Sequence, residues 1–89
     1  MVEAKIIEKD NSVVLEAEGK TFEFPCISAD DIQDLWMSDW PEEDMKKRII
    51  DKIDDELEAA EVKITDDTFD ELVKKLYEMD EAIWSSVRM

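Results

Sequence analysis

The sequence predicts an α+β fold in which a three-stranded antiparallel β-meander is followed by three α-helices. Apolar and polar residues alternate with the period of a strand over residues 1–26, whereas apolar residues recur at steps of three and four over residues 27–89. Turn and helix-cap residues fall between these segments. With 89 residues, the chain is expected to form one domain, residues 1–89, with one modest core and little surface for a deep catalytic pocket.

Three short strands are predicted in the first part of the chain, the first beginning at Val2. A polar cluster at residues 10–12 indicates the first turn, and Gly19 suits a tight hairpin turn that requires a positive φ. Pro25 ends the third strand. One face of this sheet is predicted to be apolar and to need a covering layer. Its residues are Ala4, Ile6, Val13 or Val14, Leu15, Phe22 and Phe24.

The first helix is predicted to begin after Ser28. Ser28 is a strong N-cap residue, and Asp31 three residues later makes a weaker form of the capping box. Ile27 and Ile32 stand at the spacing of a hydrophobic staple around that cap. The helix is short because it must stop before Pro41.

The second helix is predicted to begin at Pro41, which suits the first turn, and to run for about 20 residues. Ser38 or Asp39 is expected to cap it. Glu56 falls inside the apolar arc, where we expect its stem to pack at the edge of the core; a buried carboxylate with a raised pKa is the alternative. The apolar arc consists of Met45, Ile49, Ile50, Ile53, Leu57 and Ala60.

The third helix is predicted to begin after Thr65, with Ile64 and Phe69 as a staple around the cap. Its apolar stripe has two interpretations. It either faces the core, or it forms the seam of a helical dimer in which Trp84 is exposed. Its heptad spacing is too short for an independent coiled coil. The stripe consists of Phe69, Leu72, Val73, Leu76, Met79, Ile83, Trp84 and Val87.

The charge of the chain is strongly negative and unevenly distributed. The net charge is −15, and residues 28–62 alone hold thirteen acids and four bases. Self-repulsion at this charge opposes compaction. Nucleic acid and anionic membranes are therefore poor direct partners, whereas a basic protein surface is a good one.

Acidic residues concentrate on the side of the second helix opposite its apolar arc, where only Lys47 interrupts them. The acids are Glu43, Asp44, Asp51, Asp54, Asp55, Glu58 and Glu61. Asp51–Asp55 and Asp54–Glu58 are like-charge pairs four residues apart. Each pair is expected to lower the stability of the helix by about 0.2–0.5 kcal/mol.

Opposite charges recover part of this cost near the start of the helix, where Glu43–Lys47 and Asp44–Arg48 have ion-pair spacing. Five acids of this face then lie from Asp51 to Glu61, over about 15 Å of helix. One charge per about 3 Å is close to the roughly 3.4 Å between phosphates along a nucleic-acid strand. This face is either a surface that docks on basic residues or a solvated face.

Two tryptophans, Trp36 and Trp40, flank the junction between the first two helices. Aromatic residues are enriched among interface hot spots, so they are candidate partner-binding residues beside the acidic face. The alternative is that they close the core under the junction.

No catalytic apparatus is recognisable. The chain has no histidine and no glycine-rich phosphate loop, and its aspartate clusters lack the spacing of a calcium loop. Cys26 is expected to be a small buried hydrophobe. We therefore expect no enzyme activity, no cofactor and no metal site. The absence of an apolar signal core or membrane span favours a cytoplasmic location.

These observations favour an acidic module that inhibits or regulates a nucleic-acid-binding protein by occupying its basic groove as a nucleic-acid mimic. In size and charge the chain is similar to phage-encoded inhibitors of host defence, including anti-CRISPR proteins, which act in the host cytoplasm. The alternative is a small structural or assembly subunit that oligomerises, for example as a homodimer, through the C-terminal helix. Adaptation to high salt is a weaker hypothesis, since nine of the eleven bases are lysine.

Overall fold

The computed structural model describes residues 4–88, without the side chain of Arg88, and it confirms the predicted α+β fold. The predicted start of the first strand at Val2 lies outside the described residues. The strands are β1 (Ala4–Glu8), β2 (Ser12–Ala17) and β3 (Lys20–Pro25). The helices are α1 (Ala29–Trp36), α2 (Pro41–Ala60) and α3 (Asp66–Arg88).

The sheet is an antiparallel meander in the order β1-β2-β3. β2 and β3 are joined by the two-residue turn Glu18-Gly19, which connects the paired residues Ala17 and Lys20. Both turn residues have positive φ, 52° at Glu18 and 75° at Gly19, as a type I′ hairpin turn requires. Gly19 adopts this conformation without cost, whereas Glu18 has a side chain that disfavours it.

The pleat decides which valine of β2 enters the core. Val13 pairs with Phe24, and both lie on the face that the helices cover. Val14 lies on the opposite face, opposite Ile7 of β1 and Glu23 of β3. Of the two valines that the sequence left open, Val13 therefore belongs to the core cluster, whereas Val14 is buried outside it.

Helix α3 packs on β1 and β2, α2 packs against α3, and inward-facing side chains of both helices share one core with the apolar face of the sheet. The α2 side chains that face inward recur every four residues, as the sequence predicts for an amphipathic helix. The buried set of α2 is Met45, Ile49, Ile53 and Leu57. The α3 stripe faces the core as well, with Leu72, Val73, Leu76 and Trp84 buried. Trp84 is only 2% accessible, so it lies in the core and is not exposed as the dimer-seam interpretation required.

Side-chain caps begin α1 and α3 where the sequence predicts them. The Ser28 hydroxyl accepts a hydrogen bond from the Asp31 N–H at 3.2 Å, and the Asp31 carboxylate accepts from the Ser28 N–H, which completes a capping box. The Thr65 hydroxyl accepts from the Thr68 N–H at 3.2 Å. Each hydroxyl satisfies an N–H that has no partner within its helix.

The start of α2 differs from the prediction. Trp40, not Ser38 or Asp39, occupies the N-cap position, and its side chain makes no capping hydrogen bond. The Ser38 hydroxyl instead accepts the Trp40 N–H at 3.2 Å and donates to the Asp44 carboxylate. Ser38 therefore organises the α1–α2 connection rather than the first turn of α2.

Glu56 was expected at the edge of the core, but it is exposed. Arg48 reaches α1 by pairing with Asp31 and Asp34, so α1 flanks the first half of α2. Glu56 lies two turns beyond Arg48, where the eight residues of α1 no longer provide cover. The apolar arc of α2 is therefore narrower at its C-terminal end.

We expect the hairpin turn to respond in opposite ways to two substitutions. Glu18→Asn places a residue that tolerates positive φ at this position and should raise the free energy of unfolding by about 0.5–1 kcal/mol. Gly19→Ala should lower it by about 1 kcal/mol, because alanine disfavours this conformation although its Cβ would meet no neighbour within 4 Å. Glu18→Gln is the matched control for loss of the charge. Urea unfolding measures all three, and a gain in Glu18→Gln equal to that in Glu18→Asn would contradict the backbone explanation.

Candidate protein-interaction surface

The central part of α2 carries an exposed set of acidic side chains, which we call the acidic face. It consists of Asp51, Asp54, Asp55 and Glu58. None of these carboxylates forms an ion pair with a side chain that the structure describes. The helix geometry that buries Ile49, Ile53 and Leu57 directs these four residues outward. The prediction of a one-sign helical surface therefore holds over this central stretch.

The N-terminal part of the predicted acidic surface is arranged differently. Arg48 pairs across to α1, with its guanidinium 2.9 Å from Asp31 and 3.5 Å from Asp34, rather than with Asp44. Asp44 is half-buried and accepts a hydrogen bond from Ser38. Glu43 is exposed and forms no ion pair with Lys47 among the described side chains. The expected neutralisation within α2 is therefore absent there, and Asp44 has a structural role.

The C-terminal end of the surface departs from the helix. α2 ends at Ala60, and Glu61 is its C-cap residue in the left-handed conformation, with φ 57° and ψ 38°. The Lys20 ammonium donates to the Ala60 carbonyl oxygen at 2.6 Å, where a positive charge complements the helix dipole. Glu61 is thus exposed beyond the end of the helix rather than on its acidic face.

A shallow groove lies where α2 ends and α3 begins. Its charged lining is mostly acidic, and Lys63 is the only base among the described residues that line it. Apolar side chains, including Leu57 and Phe69, provide the rest of the lining. The acids are Asp54, Glu58, Glu61 and Asp66. The fold therefore adds Asp66 to the predicted acidic surface, although the sequence places it in the next helix.

The two tryptophans of the α1–α2 junction are on the surface. Trp36 is 54% accessible and Trp40 is 69% accessible, so the interpretation that they close the core was wrong. Trp36 rests on the buried Trp84, with ring centroids 5.2 Å apart and planes inclined by 55°. The two residues predicted to bind a partner are therefore available to one.

Asp80 of α3 is a buried charged residue that the sequence analysis missed. It is 6% accessible, and its carboxylate accepts the Ile27 N–H at 2.9 Å, which ties α3 to the segment between β3 and α1. Burial raises the pKa of Asp80 to about 6, although the hydrogen bond from Ile27 and the positive charge of Lys52 lower it. The negative charge of Asp31 adds to the rise.

The helical period of α3 indicated that Asp80 would be buried. Asp80 lies four residues after Leu76 and four before Trp84, both of which are buried, so it falls on the core stripe of α3. It also lines a small cavity of about 50 Å³, together with Lys52 and the half-buried Cys26. A polar residue on a core stripe indicates a buried polar contact.

Within residues 4–88, no cluster of acidic or cysteine side chains has the arrangement needed to hold a metal ion. Over the same residues, none of the helices is both long enough and apolar enough to cross a membrane. Comparison with known proteins finds no matching family model, no matching curated sequence and no matching solved structure. The functional interpretation therefore rests on the surface itself.

We expect Asp80 to make the free energy of unfolding fall as pH rises from about 4 to about 6. In this window the folded protein keeps a proton that the unfolded chain has lost, because the pKa is raised from 3.8 to about 6 in the fold. Asp80→Asn keeps an acceptor for the Ile27 N–H and removes the charge. This variant should flatten the pH dependence of the free energy of unfolding in this window and stabilise the protein at pH 7 by about 3 kcal/mol.

Asp80→Ala is the control, since it removes the acceptor as well. It should be less stable than Asp80→Asn by about 1–3 kcal/mol at any pH, because the Ile27 N–H loses its partner. Urea unfolding between pH 4 and pH 8 measures the difference between variant and parent and so cancels the contribution of the other acids. A difference curve for Asp80→Asn that does not change with pH would contradict the assignment.

Proposed function

We propose that this protein is an acidic protein-binding module that occupies the basic groove of a nucleic-acid-binding protein and thereby inhibits it. In this mechanism the acidic face lies where the nucleic-acid backbone otherwise lies, and inhibition is competitive. The small size and strong negative charge of this chain are similar to those of phage-encoded inhibitors of host defence, including anti-CRISPR proteins. A cytoplasmic nucleic-acid-handling enzyme of a host cell is therefore the partner class that we propose to test first.

The observation that carries the proposal is the set of unpaired, exposed carboxylates on one side of α2. Asp51 to Glu58 spans about 10 Å of helix axis and holds the four acids of the acidic face, or one charge per about 3 Å. That density is close to the roughly 3.4 Å between phosphates of one strand. Glu61 lies beyond the helix and is not part of this spacing.

The packing of α2 supports this role because it holds the carboxylates in place. Ile53, which is fully buried, lies between Asp51 and Asp54 in the chain. A helix anchored in the core does not have to become ordered when it binds, so little conformational entropy is lost on association. Exposed charges of one sign also steer a basic partner toward this face and raise the association rate.

The alternative function is that of an assembly subunit joined through α3. Val87, which is 44% accessible, is the part of the α3 stripe that favours it. Leu72, Leu76 and Trp84 of the same stripe are buried in the core of the chain itself. The acidic-face proposal therefore has the stronger support.

We expect the immobilised protein to retain nucleic-acid-binding proteins from a nuclease-treated lysate at low salt and to release them at high salt. Each released protein is then tested with a labelled nucleic acid that it binds, and the acidic protein should displace that ligand in a competitive, salt-sensitive manner. The triple variant Asp51→Lys, Asp55→Lys, Glu58→Lys should compete at least tenfold less well, because three charges on the contact face are reversed.

The matched control reverses Glu71, Glu78 and Glu81, which are exposed acids of α3, and so changes the net charge by the same amount. It should compete almost as well as the parent. Equal losses in the two triple variants would mean that only total charge matters. The absence of competition by the parent at low salt would refute the proposed function.

A further inference from the structure

Mimicry of phosphates does not account for the exposed aromatic side chains at the α1–α2 junction. Trp36, Met37 and Trp40, which we call the tryptophan patch, are 54%, 86% and 69% accessible. These residues lie within five consecutive positions, so their Cα atoms are at most about 14 Å apart. Large exposed apolar groups in a small soluble domain indicate an interaction site when they occur together.

The patch is held in a defined position by the surrounding hydrogen bonds. The Ser38 hydroxyl joins the Trp40 N–H to the Asp44 carboxylate, and the Ser38 N–H donates to the Leu35 carbonyl oxygen at 3.1 Å. One side of the Trp36 ring rests on the buried Trp84. Binding to this surface therefore costs less ordering than binding to a flexible loop.

The electrostatic setting of the patch indicates the chemistry of its occupant. Residues 28–45 contain seven acids and no base. Arg48, from outside this stretch, pairs with Asp31 and Asp34, so it offsets only part of the negative charge. A second copy of the chain would bring two such acidic stretches together, which disfavours a symmetric dimer through this patch. An anionic lipid surface is disfavoured for the same reason.

We propose that the tryptophan patch is the docking site for arginine side chains of a basic protein partner. A guanidinium group stacks on an indole face and at the same time donates hydrogen bonds to nearby carboxylates, whereas an ammonium group cannot stack in this way. This inference rests on the proposed function in one respect, namely that the partner is basic. It adds the preference for arginine and locates that preference on a surface separate from the acidic face.

The test uses two peptides of equal length and charge, one of alternating arginine and glycine and the other of alternating lysine and glycine. Isothermal titration calorimetry with the whole protein should give an affinity for the arginine peptide that is about threefold to thirtyfold higher. Trp40→Leu should abolish this preference, because leucine keeps an apolar surface but has no aromatic face. Trp40 is the first choice because Trp36 also contacts Trp84, and circular dichroism checks that the variant is folded.

The triple lysine variant of the acidic face is the control that separates the two proposals. It should weaken both peptides by a similar factor and leave the arginine preference in place. Equal affinities for the two peptides, or a preference that survives in Trp40→Leu and in Trp36→Leu, would overturn the docking site while leaving competition by the acidic face intact. Two other results would also overturn the arginine docking site. One is a dimer in sedimentation that Trp40→Leu abolishes, and the other is binding to neutral phosphatidylcholine vesicles that Trp40→Leu abolishes.

Discussion

The packing of α2 against α3, in the core that both helices share with the sheet, determines the direction in which the acidic face points. Met45, Ile49, Ile53 and Leu57 are buried on one side of the helix, and the 3.6-residue period then directs the intervening acids to the other side. Rotation of α2 about its own axis would turn its apolar side toward solvent and its carboxylates into the core, where burying an unpaired charge is very costly. The same contacts that form the core therefore also fix the orientation of the acidic face.

Few polar side-chain contacts join different elements among the described residues. Asp31 completes the α1 capping box and pairs with Arg48 of α2. Lys20 extends from the hairpin to the C-terminal carbonyl group of α2. Asp80 ties α3 to the segment before α1, at the cost of a buried carboxylate whose pKa is raised to about 6. In a chain of net charge −15, the scarce cations Arg48 and Lys20 therefore join helices and sheet and are not available to neutralise the acidic face.

The sequence predicted the fold because local signals agreed with the hydrophobic period. Gly19 marked the hairpin, Ser28 and Thr65 marked helix starts, and the strand and helix periods selected the core. Prediction from the sequence failed where the burial of a residue depends on neighbours that are distant in the sequence. Trp36 follows the buried Leu35 on α1, yet α1 is too short and too peripheral to bury both. Asp80 was missed because its partner, the Ile27 N–H, lies 53 residues away.

The acidic face stores a free-energy cost that a basic partner can relieve. Each pair of like charges four residues apart destabilises a helix by about 0.2–0.5 kcal/mol. Neither Asp51 nor Asp55 forms an ion pair with a side chain that the structure describes. Groups of a basic groove placed beside them would remove this repulsion, so the cost borne by the free protein becomes part of the gain on binding. That gain decreases as salt screens it. Stacking on Trp36 and Trp40 decreases less, because contact between an indole and a guanidinium excludes the screening ions. A surface that combines the two would attract many basic proteins at long range, yet retain only those that present arginine at the position of the tryptophans.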